Sequence, residues 1–190
     1  IPCEVPSAIY FRIGESPFTG FVRPNDTLSI QIYLTKSNKI DTILFEGKTK
    51  PFCDYFLKKK QHLNYQDLRL PLNGAVRNAK AIKENTDTLM NNELMFLANY
   101  LSKNNLPEWF VDLEQNQIIY LCNGYKAEQK IFFERRLNLP FNPDKEYYES
   151  IDTLIINNSK ALLSDWYFYF IKGFLIYNNL DASKINADIW

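Results

Sequence analysis

Histidine and cysteine are scarce in this 190-residue chain, which limits the site chemistries available to it. His62 is the single histidine, so a metal site built from several histidines is excluded. The three cysteines, Cys3, Cys53 and Cys122, form neither a C-x-x-C redox pair nor a zinc-type spacing. We expect them to be structural, because a buried free cysteine behaves as a small hydrophobic side chain. We also expect no disulfide between Cys53 and Cys122, since each lies on a predicted helix.

The chain also lacks a net charge and a long apolar run. Lys and Arg number 22, as do Asp and Glu, so the basic excess that nonspecific nucleic-acid binding requires is missing. The longest apolar stretch, WYFYFIKGFLIY, is interrupted by Lys172 and Gly173. It falls short of the roughly 18 apolar residues of a membrane span. The sequence therefore predicts no nucleic-acid partner and no transmembrane segment.

The first residues, IPCEVPS, do not begin with methionine and contain no signal peptide. This start is typical of a mature or trimmed N-terminus from which a leader has been removed. Cys3 lies next to it, which leaves open a remnant of a lipid-attachment site.

Strand patterns occupy residues 7–46. Leu28, Ile30, Ile32 and Leu34 alternate with polar residues and Tyr33, and this period of two is typical of a half-buried strand. The stretches SAIYFRI and DTILFEG are further strand candidates. We predict a small antiparallel β-unit of about four strands over residues 1–48.

Helical patterns follow in residues 49–190, the second predicted domain. They cover residues 51–63, 75–103 and 107–133, then a shorter helix in DKEYYESIDTL and a last one after Ser159 or Ser164. In the first of these helices we expect Lys58 to Lys60 to be mostly solvated. The predicted fold class is therefore α+β, a small β-unit followed by a mostly helical bundle.

The helix over residues 107–133 has an aromatic stripe running from Phe110 to Phe132, which predicts a core-facing surface. Gly124 within the stripe predicts the close approach of another helix. The opposite face is expected to be solvated, with Cys122 off to the side; it carries Asp112, Gln115, Lys126 and Lys130.

No motif identifies a catalytic, cofactor or metal site. The sequence contains no G-x-S-x-G, P-loop or G-x-G-x-x-G. Carboxylate pairs such as Glu146 with Glu149 and Glu108 with Asp112 are typical of solvated helix faces. An enzyme with an unrecognised carboxylate or Tyr/Arg site stays open, and carboxylates with shifted pKa values converging in one pocket would favour it.

The high aromatic content predicts a partner surface instead. Aromatic residues make up 15% of the chain, and not all of them fit inside a core of this size. Trp109, Tyr147 and Tyr148 are the candidates for a partner-binding patch.

The order of these segments resembles a known family. FVRPNDTLSIQIYL, followed by TILFEG and CDYFLKKKQHL, is similar to the region before the thioredoxin domain of Bacteroidetes-type TlpA-like thiol-disulfide oxidoreductases. The resemblance spans most of residues 20–178 and continues in a pattern of Phe110, Leu113, Glu114, Ile118 and Tyr120. Asn25 replaces the usual glycine of the turn that precedes the alternating strand. The catalytic C-x-x-C of the family has no counterpart here, so no catalytic residue is transferred.

The resemblance implies a non-catalytic accessory region in the cell envelope, periplasmic or lipid-anchored. Such a region would position a downstream thioredoxin-like domain or recognise its envelope protein substrate, as part of a thiol-disulfide oxidoreductase and without a cofactor. The alternative is a free-standing periplasmic binding, adaptor or immunity protein. A C-x-x-C encoded after Trp190 would favour the first interpretation, and a stop codon there the second.

Overall fold

A computed structural model describes residues 5–13, 16–63 and 78–177, except for the side chain of Ile131. Within these residues, four strands in two small antiparallel sheets are followed by five α-helices, which confirms the predicted α+β class. The chain forms two compact units. The first comprises Ile1–Tyr65 with Phe96–Leu106, and the second comprises Gln66–Met95 with Pro107–Trp190.

The strands of the first unit form two hairpins. β1 (Ser7–Ile13) pairs with β2 (Ser16–Val22), and β3 (Ser29–Leu34) pairs with β4 (Ile40–Glu46). Each hairpin is its own two-stranded sheet. The three strands quoted from the sequence are therefore confirmed, and β2 supplies the fourth.

The second hairpin follows the predicted alternation as far as Tyr33, whereas Leu34, predicted on the buried face, is 48% exposed where the register with β4 shifts. Ile30 lies opposite Phe45 and Ile32 opposite Ile43, and both β4 residues are buried. Tyr33 and Leu44, on the other face, are exposed. Because successive side chains of a strand point to opposite faces, a single buried face accounts for the pattern.

Two turn residues take left-handed backbone conformations that the sequence permits. Asn25 has φ 58° in the turn before β3, and asparagine tolerates this region better than most residues. Gly47, just after β4, has φ 120°, and a Cβ placed there would lie 2.3 Å from the Thr27 carbonyl oxygen. Only glycine fits at that position.

α1 (Lys50–Leu63) packs on β2. Phe52 and Tyr55 are buried as predicted, and the Phe52 ring lies 5.2 Å from that of Phe21. The prediction of a solvated Lys59 is wrong, because its side chain is only 7% exposed. Lys59 follows Phe52 by seven residues and Tyr55 by four, so helical periodicity places it on the same buried face.

Cys53 of α1 is a fully buried thiol outside any disulfide, and Cys122 is buried and likewise not disulfide-bonded. The expectation that the two form no disulfide is thus confirmed, whereas Cys3 lies outside the described residues. The Cys53 Sγ accepts a hydrogen bond from the Phe21 amide at 3.2 Å. Burial raises the pKa of Cys53 to about 11, so the group stays a neutral thiol at physiological pH.

Helices account for most of the second unit. α2 (Ala79–Leu101) contributes residues to both units, and α3 (Glu108–Ile131) continues into a π-helical turn at Phe132–Arg136. α4 (Lys145–Asp152) and α5 (Asp165–Tyr177) follow, with a 3₁₀ turn at Ser159–Ala161 between them. The predicted break LRLPLNG and the predicted start of α2 at residue 75 lie outside the described residues.

α3 is buried on more than its aromatic stripe. Phe110, Leu113, Tyr120 and Gly124 are buried as predicted. The prediction of a solvated face holding Lys126 is wrong, however, because this side chain is 0% exposed. Cys122 is buried as well. α5 and α4 both pack on α3, and Lys126 and Asn123 reach residues of α2, so the helix has neighbours on several sides.

Two glycines set the approach of α3 and α5. A Cβ added to Gly124 would lie 2.7 Å from Tyr169 Cδ1 and 3.1 Å from Phe170 Cα. One added to Gly173 would lie 3.3 Å from the Gly124 carbonyl oxygen and 3.1 Å from the Ala127 Cβ. The predicted close approach at Gly124 is thus confirmed. No helix among the described residues is both long and apolar enough to cross a membrane.

The glycine contact generates a stability prediction. We expect Gly124→Ala to lower the free energy of unfolding by about 1–3 kcal/mol, because the added methyl group meets the α5 backbone. Asn92→Ala, at an exposed position of α2, serves as the control and should change stability by less than about 0.5 kcal/mol. Urea unfolding measures both. A Gly124→Ala protein as stable as wild type would contradict the tight α3–α5 contact.

Candidate functional site

Exposed aliphatic side chains of the second unit concentrate in the α4–α5 loop, residues 153–164. Ile155 is 66% exposed and Leu162 54%, and their neighbours Ile156 and Leu163 are 44% and 47% exposed. In the rest of this unit's described residues, the exposed large hydrophobic side chains are those of Met95 and Leu139. Several exposed large apolar side chains within one short segment make this loop a candidate interaction surface.

Two tyrosine hydroxyls hold the backbone of this loop. Tyr120 of α3 donates to the Ile155 carbonyl oxygen at 2.7 Å, and Tyr167 of α5 donates to the Ile156 carbonyl oxygen. The two rings meet edge to face with centroids 4.9 Å apart. Two consecutive carbonyl groups of the loop are therefore hydrogen-bonded to tyrosines of the core, while the side chains of Ile155 and Ile156 are exposed to solvent.

Asn158 links the next part of the loop to α3. Its Nδ2 donates to the Tyr120 Oη at 3.1 Å and to the Asn116 Oδ1 at 3.0 Å. Its Oδ1 accepts from the Lys160 amide at 3.1 Å and so caps the 3₁₀ turn. Asparagine suits this position because its side chain can satisfy nearby backbone groups.

Buried residues anchor the loop between its exposed pairs. Leu154 packs against the core cluster that contains Tyr120 and Phe170, and Ala161 is fully buried in the same cluster. Ser164, one of the two serines after which the last helix is predicted to begin, directly precedes α5, and its carbonyl oxygen accepts from the Tyr167 amide at 3.1 Å. Its buried hydroxyl, however, has no hydrogen-bond partner within the described part of the chain.

Burial keeps the anchoring hydroxyl of Tyr120 in its donor form. Burial raises the pKa of Tyr120, and the hydrogen bond from Asn158 opposes this only in part. A phenol with a raised pKa stays protonated throughout the physiological range, so the bond to the loop does not depend on pH there.

Acidic residues flank the loop that carries the exposed aliphatic side chains. Asp152 and Asp165 flank the loop in sequence, and both are exposed. Lys160, a base within the loop, pairs with Asp112 at 2.7 Å, and that carboxylate raises the pKa of Lys160. Glu108 raises it further, which places another carboxylate on this side of α3. An isolated exposed pair of this type contributes little to stability, so its larger effect is on the local field.

The aromatic residues predicted to face a partner lie elsewhere. Tyr147 is 1% exposed, so its assignment to a surface is wrong; its hydroxyl donates to the Lys126 carbonyl oxygen at 3.0 Å. Tyr148 is half-buried and packs against the two core clusters of this unit. Trp109 is half-buried at the start of α3, edge to face with Phe110. A partner role for Trp109 and Tyr148 stays a prediction.

An ion pair between the buried Lys126 and the partly buried Asp87 joins α2 and α3, and a further bond reaches α4. The Lys126 ammonium group lies 2.5 Å from Asp87 Oδ1 and 2.8 Å from the Ser150 hydroxyl. Asp87 also pairs with Lys83 at 3.0 Å. Burial alone would raise the pKa of Asp87, but the hydrogen bonds from Lys126 and Lys83 outweigh it, and the pKa lies below its usual value. These polar contacts connect the three helices, and removing the Asp87 charge would leave the Lys126 ammonium group without its counter-charge.

The remaining candidates have ordinary surface roles. Glu146, Glu149 and Glu108 are exposed, as expected for solvated helix faces. His62 is exposed near the end of α1 with its ring 5.2 Å from that of Phe96. No group of three or more His, Cys, Asp or Glu side chains suited to a metal ion occurs among the residues that the structure describes.

Comparison of the chain with protein-family models, with curated proteins and with solved structures finds no match. The α4–α5 loop must therefore be interpreted from this chain's own residues. Its sequence signal is the pair of aliphatic doublets, Ile155-Ile156 and Leu162-Leu163, which fit neither helical nor strand periodicity around an Asn-rich turn. The predicted partner surface consisted of aromatic residues only and therefore did not include this loop.

The ion-pair cluster generates a prediction about Asp87. We expect Asp87→Asn to cost about 3 kcal/mol of stability, because the fully buried Lys126 ammonium loses its counter-charge. Asp54→Asn, which breaks an exposed pair with Lys50, should cost less than about 1 kcal/mol.

The effect depends on pH in a defined direction. The stabilisation from Asp87 is present above the ordinary carboxyl pKa of 3.8 and is lost as the pH falls through the lower folded-state value. Urea unfolding between about pH 2 and 7 should show this loss in wild type, but not in Asp87→Asn. Equal losses of stability in Asp87→Asn and Asp54→Asn would contradict a stabilising role of the Lys126–Asp87 pair.

Proposed function

We propose that this chain is a non-catalytic protein-binding module and that the α4–α5 loop is its contact surface. One observation carries the proposal. The loop exposes two aliphatic doublets, and buried tyrosine hydroxyls hold two of its consecutive carbonyl groups. A surface that exposes apolar side chains on a fixed backbone suits recognition by a partner.

The energetics favour such a use of the loop. Fully burying an exposed large aliphatic side chain contributes about 1.5–3 kcal/mol, so covering the exposed half of Ile155, Ile156, Leu162 and Leu163 provides roughly half of that for each. Ordering a flexible loop on binding would consume part of that energy. The bonds from Tyr120, Tyr167 and Asn158 reduce this cost, because the backbone is already held in the free protein.

The surrounding charge indicates the kind of partner. Asp152, Asp165 and Glu108 give the surface an acidic border, and Lys160 is offset by Asp112. Charge complementarity favours a protein that offers an apolar patch bordered by Lys or Arg. An anionic membrane surface would be repelled by the same border.

The identity of that partner follows only from the sequence resemblance. In a TlpA-like envelope protein, periplasmic or lipid-anchored, the partner would be a downstream thioredoxin-like domain or the protein substrate of that domain. In the alternative, a free-standing binding, adaptor or immunity protein would use the surface for a separate protein. Both proposals need the same exposed loop.

Site-specific photo-crosslinking in the native cells tests the proposal. A benzoyl-phenylalanine placed at Ile156 or at Leu162 should give a discrete covalent adduct, because a bound partner lies against these side chains. Lys80, on the exposed face of α2, provides the control position and should give none. A matched Leu163→Asp substitution in the same chain should reduce the adduct at position 162.

The adducts distinguish the two partners. A crosslink within the native gene product would identify a domain carried on the same chain, and an adduct of two proteins would identify a separate one by mass spectrometry. If the loop positions give no more adduct than Lys80, or if Leu163→Asp leaves the adduct unchanged, the loop is not the contact surface.

A further inference from the structure

A second candidate site lies in the first unit, independent of the α4–α5 loop. The start of α1 and the end of α2 border a groove of about 410 Å³. This volume lies within the roughly 300–1,000 Å³ of small-molecule sites. Its apolar wall includes Pro51, Tyr100 and Leu106. The groove is therefore large enough for a small organic ligand with an apolar part.

The charged lining of the groove is predominantly basic. Lys50, Lys58 and Lys103 line it, with Asp54 as the one carboxylate among the lining residues. The Asp54 carboxylate pairs with the Lys50 ammonium group at 2.7 Å. Lys58 and Lys103 form no ion pair with a carboxylate in the part of the chain that the structure describes. Two ammonium groups therefore line the same groove without a direct ion pair to a carboxylate, and Asp54 leaves the lining with an excess of positive charge.

One of these cations is positioned in advance. The Lys58 Nζ lies 5.4 Å from the centre of the Tyr100 ring, a cation–π arrangement. Asn104 also lines the groove, and its Nδ2 donates to the Tyr100 carbonyl oxygen at 2.9 Å. These contacts place a cation and a carboxamide beside an apolar wall, which suits a ligand with one anionic end.

We propose that this groove binds a small organic anion. Its carboxylate or phosphate group would pair with Lys58 and Lys103, and its apolar part would lie against Tyr100 and Leu106. Because these ammonium groups are solvent-exposed, the affinity should fall as the salt concentration rises.

Amide chemical-shift mapping of the whole chain with four probes tests the proposal. Phenylacetate and phenyl phosphate carry both required parts, whereas acetate and inorganic phosphate carry only the anion. We expect saturable shifts at Lys58, Lys103 and Leu106 with at least one aromatic probe, and weaker binding of the matching simple anion. The two aromatic probes distinguish a carboxylate from a phosphate ligand.

Two charge-matched double variants provide the control. Lys58→Gln with Lys103→Gln should weaken binding about tenfold, since each exposed ammonium–anion pair is commonly worth a factor of about three and two are lost. Lys36→Gln with Lys39→Gln, at the β3–β4 turn, removes the same total charge and should leave binding unchanged. Lys103→Gln alone leaves α1 intact and should weaken binding if the double variant does not fold.

Three results would overturn the proposal. The first is the absence of saturable shifts with all four probes. The second is equal weakening by the two double variants, which would indicate general charge attraction. The third is equal binding of aromatic and simple anions, which would leave the apolar wall without a role.

Discussion

The close crossing of α3 and α5 is the constraint on which the proposed surface depends. Gly124 and Gly173 let the two helix backbones approach until a Cβ at Gly124 would meet the backbone of Phe170. The same packing brings Tyr120 and Tyr167 edge to face. Because their hydroxyls then reach two consecutive carbonyl groups, the α4–α5 loop is held with its aliphatic side chains outward. A small residue on each helix thus determines the conformation of a loop that contains neither of them.

Buried polar contacts complete the support of this loop at its other end. The Lys126 ammonium group bonds to Ser150, and the Lys126 carbonyl oxygen accepts from Tyr147, so α3 holds α4 at two points. Asp87 supplies the counter-charge from α2. Such clusters add little net stability over an apolar core, but removing one partner is costly. Both helices that border the loop are therefore tied to α3, one through glycine packing and one through a buried cation.

Much of the fold could be predicted from periodicity, because alternation and helical spacing report which faces are buried. Ile30 and Phe110 follow from their patterns, and Gly124 was identified as a close contact. Lys59 and Lys126 could not be placed, since charge alone suggests solvent and only tertiary packing decides how many faces of a helix are covered. The α4–α5 loop was not predicted as a surface for a related reason, since tertiary packing decides which apolar and aromatic residues are exposed. Tyr147 fits the core, and the exposed residues are aliphatic side chains in a segment with no regular period.

Backbone ¹⁵N relaxation of the α4–α5 loop shows whether its exposed residues are held in place before any partner binds. We expect amide order parameters for Ile155 to Leu163 close to those of the helices, about 0.85, with a decrease in a Tyr120→Phe, Tyr167→Phe variant. Values below about 0.6 in the wild-type protein would show a flexible loop and would contradict a preformed binding surface.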